Sequence, residues 1–105
     1  MSTATSQPVI QFPEGYEERG QYEAPVKGYL GNVVVQVEDG SRYQLMFYDP
    51  VRLEQTLTSD AEAGRCFLAE PNMVVLPEVN TEAIRIAVHA LWREGYFEQI
   101  RPLRA

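Results

Sequence analysis

Cys66 and His89, the one cysteine and the one histidine of this 105-residue chain, are its best candidates for covalent chemistry. A thiol becomes nucleophilic when a basic neighbour lowers its pKa, and histidine can be that neighbour. In the strand register proposed below, however, Cys66 points away from the helical layer that carries His89, so we interpret it as a half-buried strand residue. A structural zinc site needs about four ligands, and one His with one Cys supplies too few. We therefore favour a non-catalytic protein and predict no metal site and no cofactor.

A second candidate is a row of basic side chains near the carboxy terminus. Arg85, His89 and Arg93 recur at intervals of four residues, which places them on one face of a helix. Such a row can hold a carboxylate or a phosphate. It supports an alternative hypothesis, in which the chain binds a small anionic ligand, or is a modest enzyme, with a site between helices and loops. The simpler interpretation is a solvated helix face, with Glu82 and Arg93 complementing the helix dipole.

Composition limits the classes of partner. Nine basic and fifteen acidic residues give a net charge of -6, so nucleic acid and anionic lipid surfaces are repelled overall. A single cysteine forms no intrachain disulfide and suits a reducing compartment. The apolar runs are far shorter than the roughly 20 residues of a membrane helix, and residues 1–7 lack the features of a secretory signal. We expect an acidic cytoplasmic domain that binds neither nucleic acid nor membranes.

A β-hairpin is predicted over residues 33–48, where two apolar segments flank Glu38-Asp39-Gly40. A two-residue loop would mix polar and apolar side chains on one face. We prefer a three-residue loop closed by Gly40 in the left-handed region, because it separates an apolar face from a polar one. The apolar face then consists of Val33, Val35, Val37, Tyr43, Leu45 and Phe47.

Two helices follow from capping signals. Asp49-Pro50 is typical of a helix start, and because the apolar stripe after it is thin, we end this helix near Leu57. Thr81, or alternatively Asn80, caps a stronger amphipathic helix over residues 81–94, which Gly95 ends.

A second hairpin is predicted between the helices, with residues 65–70 and 73–77 pairing around a Pro71-Asn72 turn. The order ββαββα predicts an α+β fold: a two-layer sandwich with a four-stranded, mostly antiparallel sheet and both helices on one face. Residues 26–105 form this single domain. Residues 1–25, rich in proline and glycine, form an extended arm, for which packing on the domain, binding a partner and remaining mobile are all open.

The outer face of the sheet suggests a function. It carries apolar Tyr48 and Met46 among polar neighbours, and solvent, the arm or a second copy could lie against it. Our leading hypothesis is a small protein-interaction domain that binds a partner protein or a second copy as a homodimer. Its candidate binding residues are Tyr48, Met46, Arg85, His89 and Arg93.

Overall fold

A computed structural model describes residues 7–103 and contains one four-stranded sheet. The strands lie in the order β1-β2-β3-β4; β1, β2 and β3 are antiparallel neighbours, and β4 runs parallel to β3. The α+β class and the mostly antiparallel sheet are confirmed. The elements are β1 (Val9–Gln11), a π-helical turn (Tyr16–Gly20), α1 (Gln21–Lys27), β2 (Tyr29–Gln36), β3 (Arg42–Tyr48), α2 (Pro50–Glu62), β4 (Met73–Val75), α3 (Thr81–Arg93) and a 3-10 turn (Tyr96–Glu98).

The register of the β2-β3 hairpin is the one that separates the two faces. Val33 lies opposite Leu45 and Val35 opposite Tyr43. Gly40 has a φ of 90°, which closes the three-residue loop in a conformation that suits glycine. The inward side chains form the core, and Val33, Val35 and Phe47 are fully buried.

The helix α3 covers this inner face. The side chain of Asn80 caps it by accepting a hydrogen bond from the Ala83 amide at 2.7 Å. Ile84 and Val88, one turn apart, are both fully buried. The predicted carboxy-terminal helix is therefore confirmed, and its apolar stripe is the second half of the core.

Residues 57–72 differ from expectation. The helix α2 continues past Leu57 to Glu62, because no helix breaker precedes Gly64. Residues 65–70 form no strand, so the predicted second hairpin is wrong. The physical reason lies at Asn72. Its side-chain amide donates to the Gln44 backbone carbonyl at 2.9 Å, and its backbone carbonyl accepts from the Met46 backbone amide at 3.2 Å. These bonds start β4 parallel to β3.

The fourth strand of the sheet is instead β1, at its other edge. Ile10 lies opposite Val35, and the chain then turns so that Phe12 stacks on Tyr16 with ring centroids 4.4 Å apart. The Tyr16 ring is buried, and its hydroxyl shares a 2.6 Å hydrogen bond with Thr81 at the start of α3. Residues 7–25 of the proposed arm thus supply a strand and part of the core. Residues 1–6 of that arm lie outside the described range.

Removing the Tyr16 hydroxyl tests this connection. We expect Tyr16→Phe to lower the free energy of unfolding by about 1 kcal/mol, because the mutation removes a part-buried hydrogen bond between distant segments. Urea denaturation measures the loss. The matched control is Tyr22→Phe, since Tyr22 is 71% exposed. Equal losses in the two variants would contradict the assignment.

Both edge strands of the sheet are short and lie between prolines. The strand β1 has three residues between Pro8 and Pro13, and β4 has three residues between Pro71 and Pro77. Proline has no amide hydrogen to donate. Each edge strand therefore has very few backbone groups with which an additional strand could form hydrogen bonds.

Candidate protein-binding surface on the second helix

The first turn of α2 is fixed to the end of α1 and the end of β3. Asp49 caps the helix by accepting a hydrogen bond from the Arg52 amide at 2.7 Å, and Pro50 takes the first helical position. The Asp49 amide donates to the Gly28 carbonyl at 2.9 Å. Gly28 ends α1 with a φ of 69°, so its backbone lies directly against the α2 cap.

Arg52 is the main side-chain anchor of α2. Its Nη1 donates to the Lys27 carbonyl at 3.1 Å, and its guanidinium carbon lies 5.5 Å from the centroid of the Tyr29 ring. Tyr29 packs edge-on against Tyr48, with centroids 4.9 Å apart. Because side chains alternate along a strand, Tyr48 faces away from buried Phe47 and from the core that α3 covers. The structure thus refines the expectation of two helices on one face: α2 contacts the opposite side.

Apart from the half-buried Arg52, Leu53, Thr56 and Asp60, the residues of α2 are exposed. None of its 13 residues is buried, and none belongs to the core or packs against it. Val51 is 63% exposed and Leu57 40% exposed. A shallow groove of about 430 Å³ lies along the outer side of the helix. Its lining consists of Val51, Glu54, Gln55, Thr58, Ser59 and Glu62.

The segment that follows α2 is also exposed. In residues 63–71 only Leu68 is partly covered. Phe67 is 55% exposed, and the Arg65 guanidinium carbon lies 4.1 Å from its ring centroid. We call the exposed residues of α2 and residues 63–71 together the α2 surface.

Tyr48 and Met46 lie on the outer face of the sheet, as predicted, but they differ in solvent exposure. Tyr48 is only 6% exposed, so its ring supports the Tyr29 contact rather than meeting solvent. Met46 is half-buried and lies opposite Met73 in the neighbouring strand. Val75, on the same face, is 47% exposed. The accessible apolar part of the outer face is therefore at the β4 edge.

The basic row is present on α3. Arg85 and Arg93 are exposed and His89 is half-buried, all on the side turned away from the core. The Arg85 guanidinium carbon lies 5.8 Å from the Phe12 ring centroid. The fold does not bring this row together with Met46 and Tyr48, because α3 covers the inner face of the sheet.

The interpretation of Cys66 as a half-buried strand residue is wrong. Cys66 is exposed and lies outside every strand, in the segment after α2. Within residues 7–103, no group of three His, Cys, Asp or Glu side chains is arranged to hold a metal ion.

Burial makes Tyr48 a pH-sensitive part of the α2 anchor. Desolvation raises the pKa of its phenol above the ordinary value of 10.0. The unfolded chain then loses this proton at a lower pH than the folded chain. We expect the stability contribution to be complete below pH 10 and to decrease as the pH rises through the folded-state pKa.

Ultraviolet titration of phenolate absorbance in wild type and Tyr48→Phe measures this effect. The difference between the two titration curves should correspond to one tyrosine with a pKa above 10.0. The stability of the variant should also decrease less steeply at alkaline pH. Burial also raises the pKa of Tyr96, so a residual slope from that residue is expected in both proteins. If the tyrosine missing from the variant had a pKa at or below 10.0, the burial of Tyr48 would be contradicted.

Sequence reasoning did not single out α2 as a surface. The available signal was its thin apolar stripe of Val51, Leu53 and Leu57, which we used only to shorten the helix. A capped helix with too few apolar residues to cover a core is one that remains exposed.

The described residues 7–103 include no helix with the length and apolarity that a bilayer crossing demands. Comparison with known proteins found no match among protein-family models, curated proteins or solved structures.

Proposed function

We propose that this chain is a non-catalytic protein-interaction domain and that the α2 surface is where it binds another protein molecule. The observation that carries the proposal is that α2, a regular capped helix of 13 residues, buries none of its residues in its own fold.

Helix energetics support this assignment. An isolated helix of fewer than about 12–15 residues is marginal in water, and helices in proteins gain most of their stability from packing. Here only one side of α2 is half-buried, at Arg52, Leu53, Thr56 and Asp60. Packing the exposed outer side on a partner would stabilise the helix further.

The side chains on the outer side are suited to such a contact. Val51 provides exposed apolar area in the groove, and Glu54 and Glu62 line the same groove. Leu57, 40% exposed, lies at the flank of this side. The one basic side chain of the helix, Arg52, is directed to Lys27 and Tyr29. The outer side of α2 therefore fits an apolar partner surface edged with basic residues.

The alternative of an anionic small-molecule site has weaker support. Arg85 and Arg93 lie on an exposed helix face, and neither lines the groove described above. Small-molecule sites are usually concave and bury most of the ligand.

Photo-crosslinking in the native cell tests the proposed surface. A benzophenone amino acid is placed at Leu57 or, as the matched control, at Val26, which is 87% exposed on α1. We expect a crosslinked product of defined mass from position 57 and none from position 26. The absence of a product at 57, or the same products from both positions, would overturn the proposal.

A further inference from the structure

We propose that the α2 surface binds a second copy of this chain and that the complementary surface is the exposed side of α3. This inference rests on the proposed function and names its partner. It follows from charge, spacing and exposure on the two helices.

Charges of opposite sign recur at the same interval on the two helices. Glu54 and Glu62 on α2 are eight residues apart, and so are Arg85 and Arg93 on α3. At 1.5 Å per residue, each pair spans about 12 Å along its helix axis. When α2 of one copy lies along α3 of another, both carboxylates can therefore meet both guanidinium groups at once.

Each charged row has an exposed aliphatic side chain beside it. Val51, one turn before Glu54, is 63% exposed, and Ile86, two turns before Arg93, is 62% exposed. Residues three and seven apart share a helix face. With the two helices parallel and Glu54 opposite Arg85, Val51 and Ile86 would lie about 6 Å apart along the axis, so the contact would cover both.

The charges are available for this contact. Within residues 7–103, the salt bridges are those of Glu23 with Arg19 and Lys27. Glu54, Glu62, Arg85 and Arg93 thus form no salt bridge with any described residue of their own chain. Both arginines are exposed, as are both glutamates.

The net charge of -6 works against association at long range. At physiological ionic strength, however, the Debye length is about 8 Å, so this repulsion is largely screened while charges in contact still attract. Because α2 and α3 lie on opposite sides of the sheet, one copy does not present both rows to the same partner; the contact is therefore heterologous, and further copies can add unless the rotation closes a ring.

Paired charge reversals test the inference. One variant carries Glu54→Lys and Glu62→Lys, and the other carries Arg85→Glu and Arg93→Glu. The mass of each is measured by light scattering over a range of concentrations, with circular dichroism to confirm that the fold is kept. The control is Glu14→Lys with Glu18→Lys, which changes the net charge as much as the first variant but at exposed positions near the π-helical turn.

For the wild type we expect a mass above 11.9 kDa that rises with concentration. Each reversed variant should associate more than about tenfold more weakly, and the control should match the wild type. An equal mixture of the two reversed variants should associate again, because each then faces the opposite charge.

Two outcomes overturn the inference: a wild type that stays at the mass of one chain, and reversed variants that stay apart when mixed. If either occurs while position 57 still crosslinks to a different protein, the proposed function holds and the second copy is excluded. If position 57 crosslinks to nothing, the proposed function fails as well.

Discussion

Phe47→Ala is expected to lower the free energy of unfolding by about 3–5 kcal/mol, the usual cost of deleting a fully buried aromatic ring. Phe47 is 0% exposed and is among the largest fully buried side chains of the core. The space left by the ring would lie between the sheet and α3, both of which hold their positions through other contacts. Urea denaturation followed by circular dichroism measures the loss.

The neighbouring residue provides the control. Met46 is half-buried on the opposite face of the same strand. Met46→Ala should therefore cost clearly less than Phe47→Ala. If the two variants lost equal stability, the assignment of inner and outer faces would be wrong.

Gly28→Ala is the second substitution with a large expected effect, about 2–3 kcal/mol. Gly28 has a φ of 69°, and an added Cβ would lie 2.6 Å from Oδ1 of Asp49. The left-handed conformation costs about 1–2 kcal/mol for a residue with a Cβ. Displacing the Asp49 carboxylate would also weaken the α2 cap, which costs about 1 kcal/mol more.

Gly64→Ala separates these two causes. Gly64 has a φ of 98° with nothing within 4 Å of an added Cβ, so only the backbone cost applies. Gly28→Ala should be the more destabilising, and it alone should reduce helix content measured by far-ultraviolet circular dichroism. Equal losses of stability in the two variants would show that capping of α2 by Asp49 does not require the space at Gly28.

Local signals account for the parts of the fold that the sequence predicts. Gly40 specifies the loop of the β2-β3 hairpin, and the alternation of valines then fixes which face is buried. Asp49 and Asn80 cap their helices through their own side chains. In each of these cases the determining interaction joins residues within a few positions of one another.

The pairings that the sequence did not predict join distant segments. The direction of β4 depends on Asn72 meeting Gln44 and Met46 of β3, and no local pattern shows that. The same holds for Tyr16, whose hydrogen-bond partner Thr81 lies 65 residues away. Pairing of this kind is decided by tertiary packing rather than by propensity.

The candidate surface could be predicted from the sequence only in part. The sequence predicts Glu54, Arg85 and Arg93 on helices, but Glu62 lies beyond the predicted end of the first helix near Leu57, and only the structure extends α2 to Glu62. Their accessibility is not visible in the sequence, because it depends on α2 lying outside the core. Only the coordinates show that Val51 and Ile86 remain uncovered.

The prolines beside β1 and β4 have a consequence for any larger assembly of this chain. Neither edge of the sheet readily pairs with an added strand. Copies of the folded chain must therefore associate through side-chain contacts, and the native backbone hydrogen bonds of the sheet stay intact. A cross-β fibre, with its repeat of about 4.8 Å, would require the folded chain to open first.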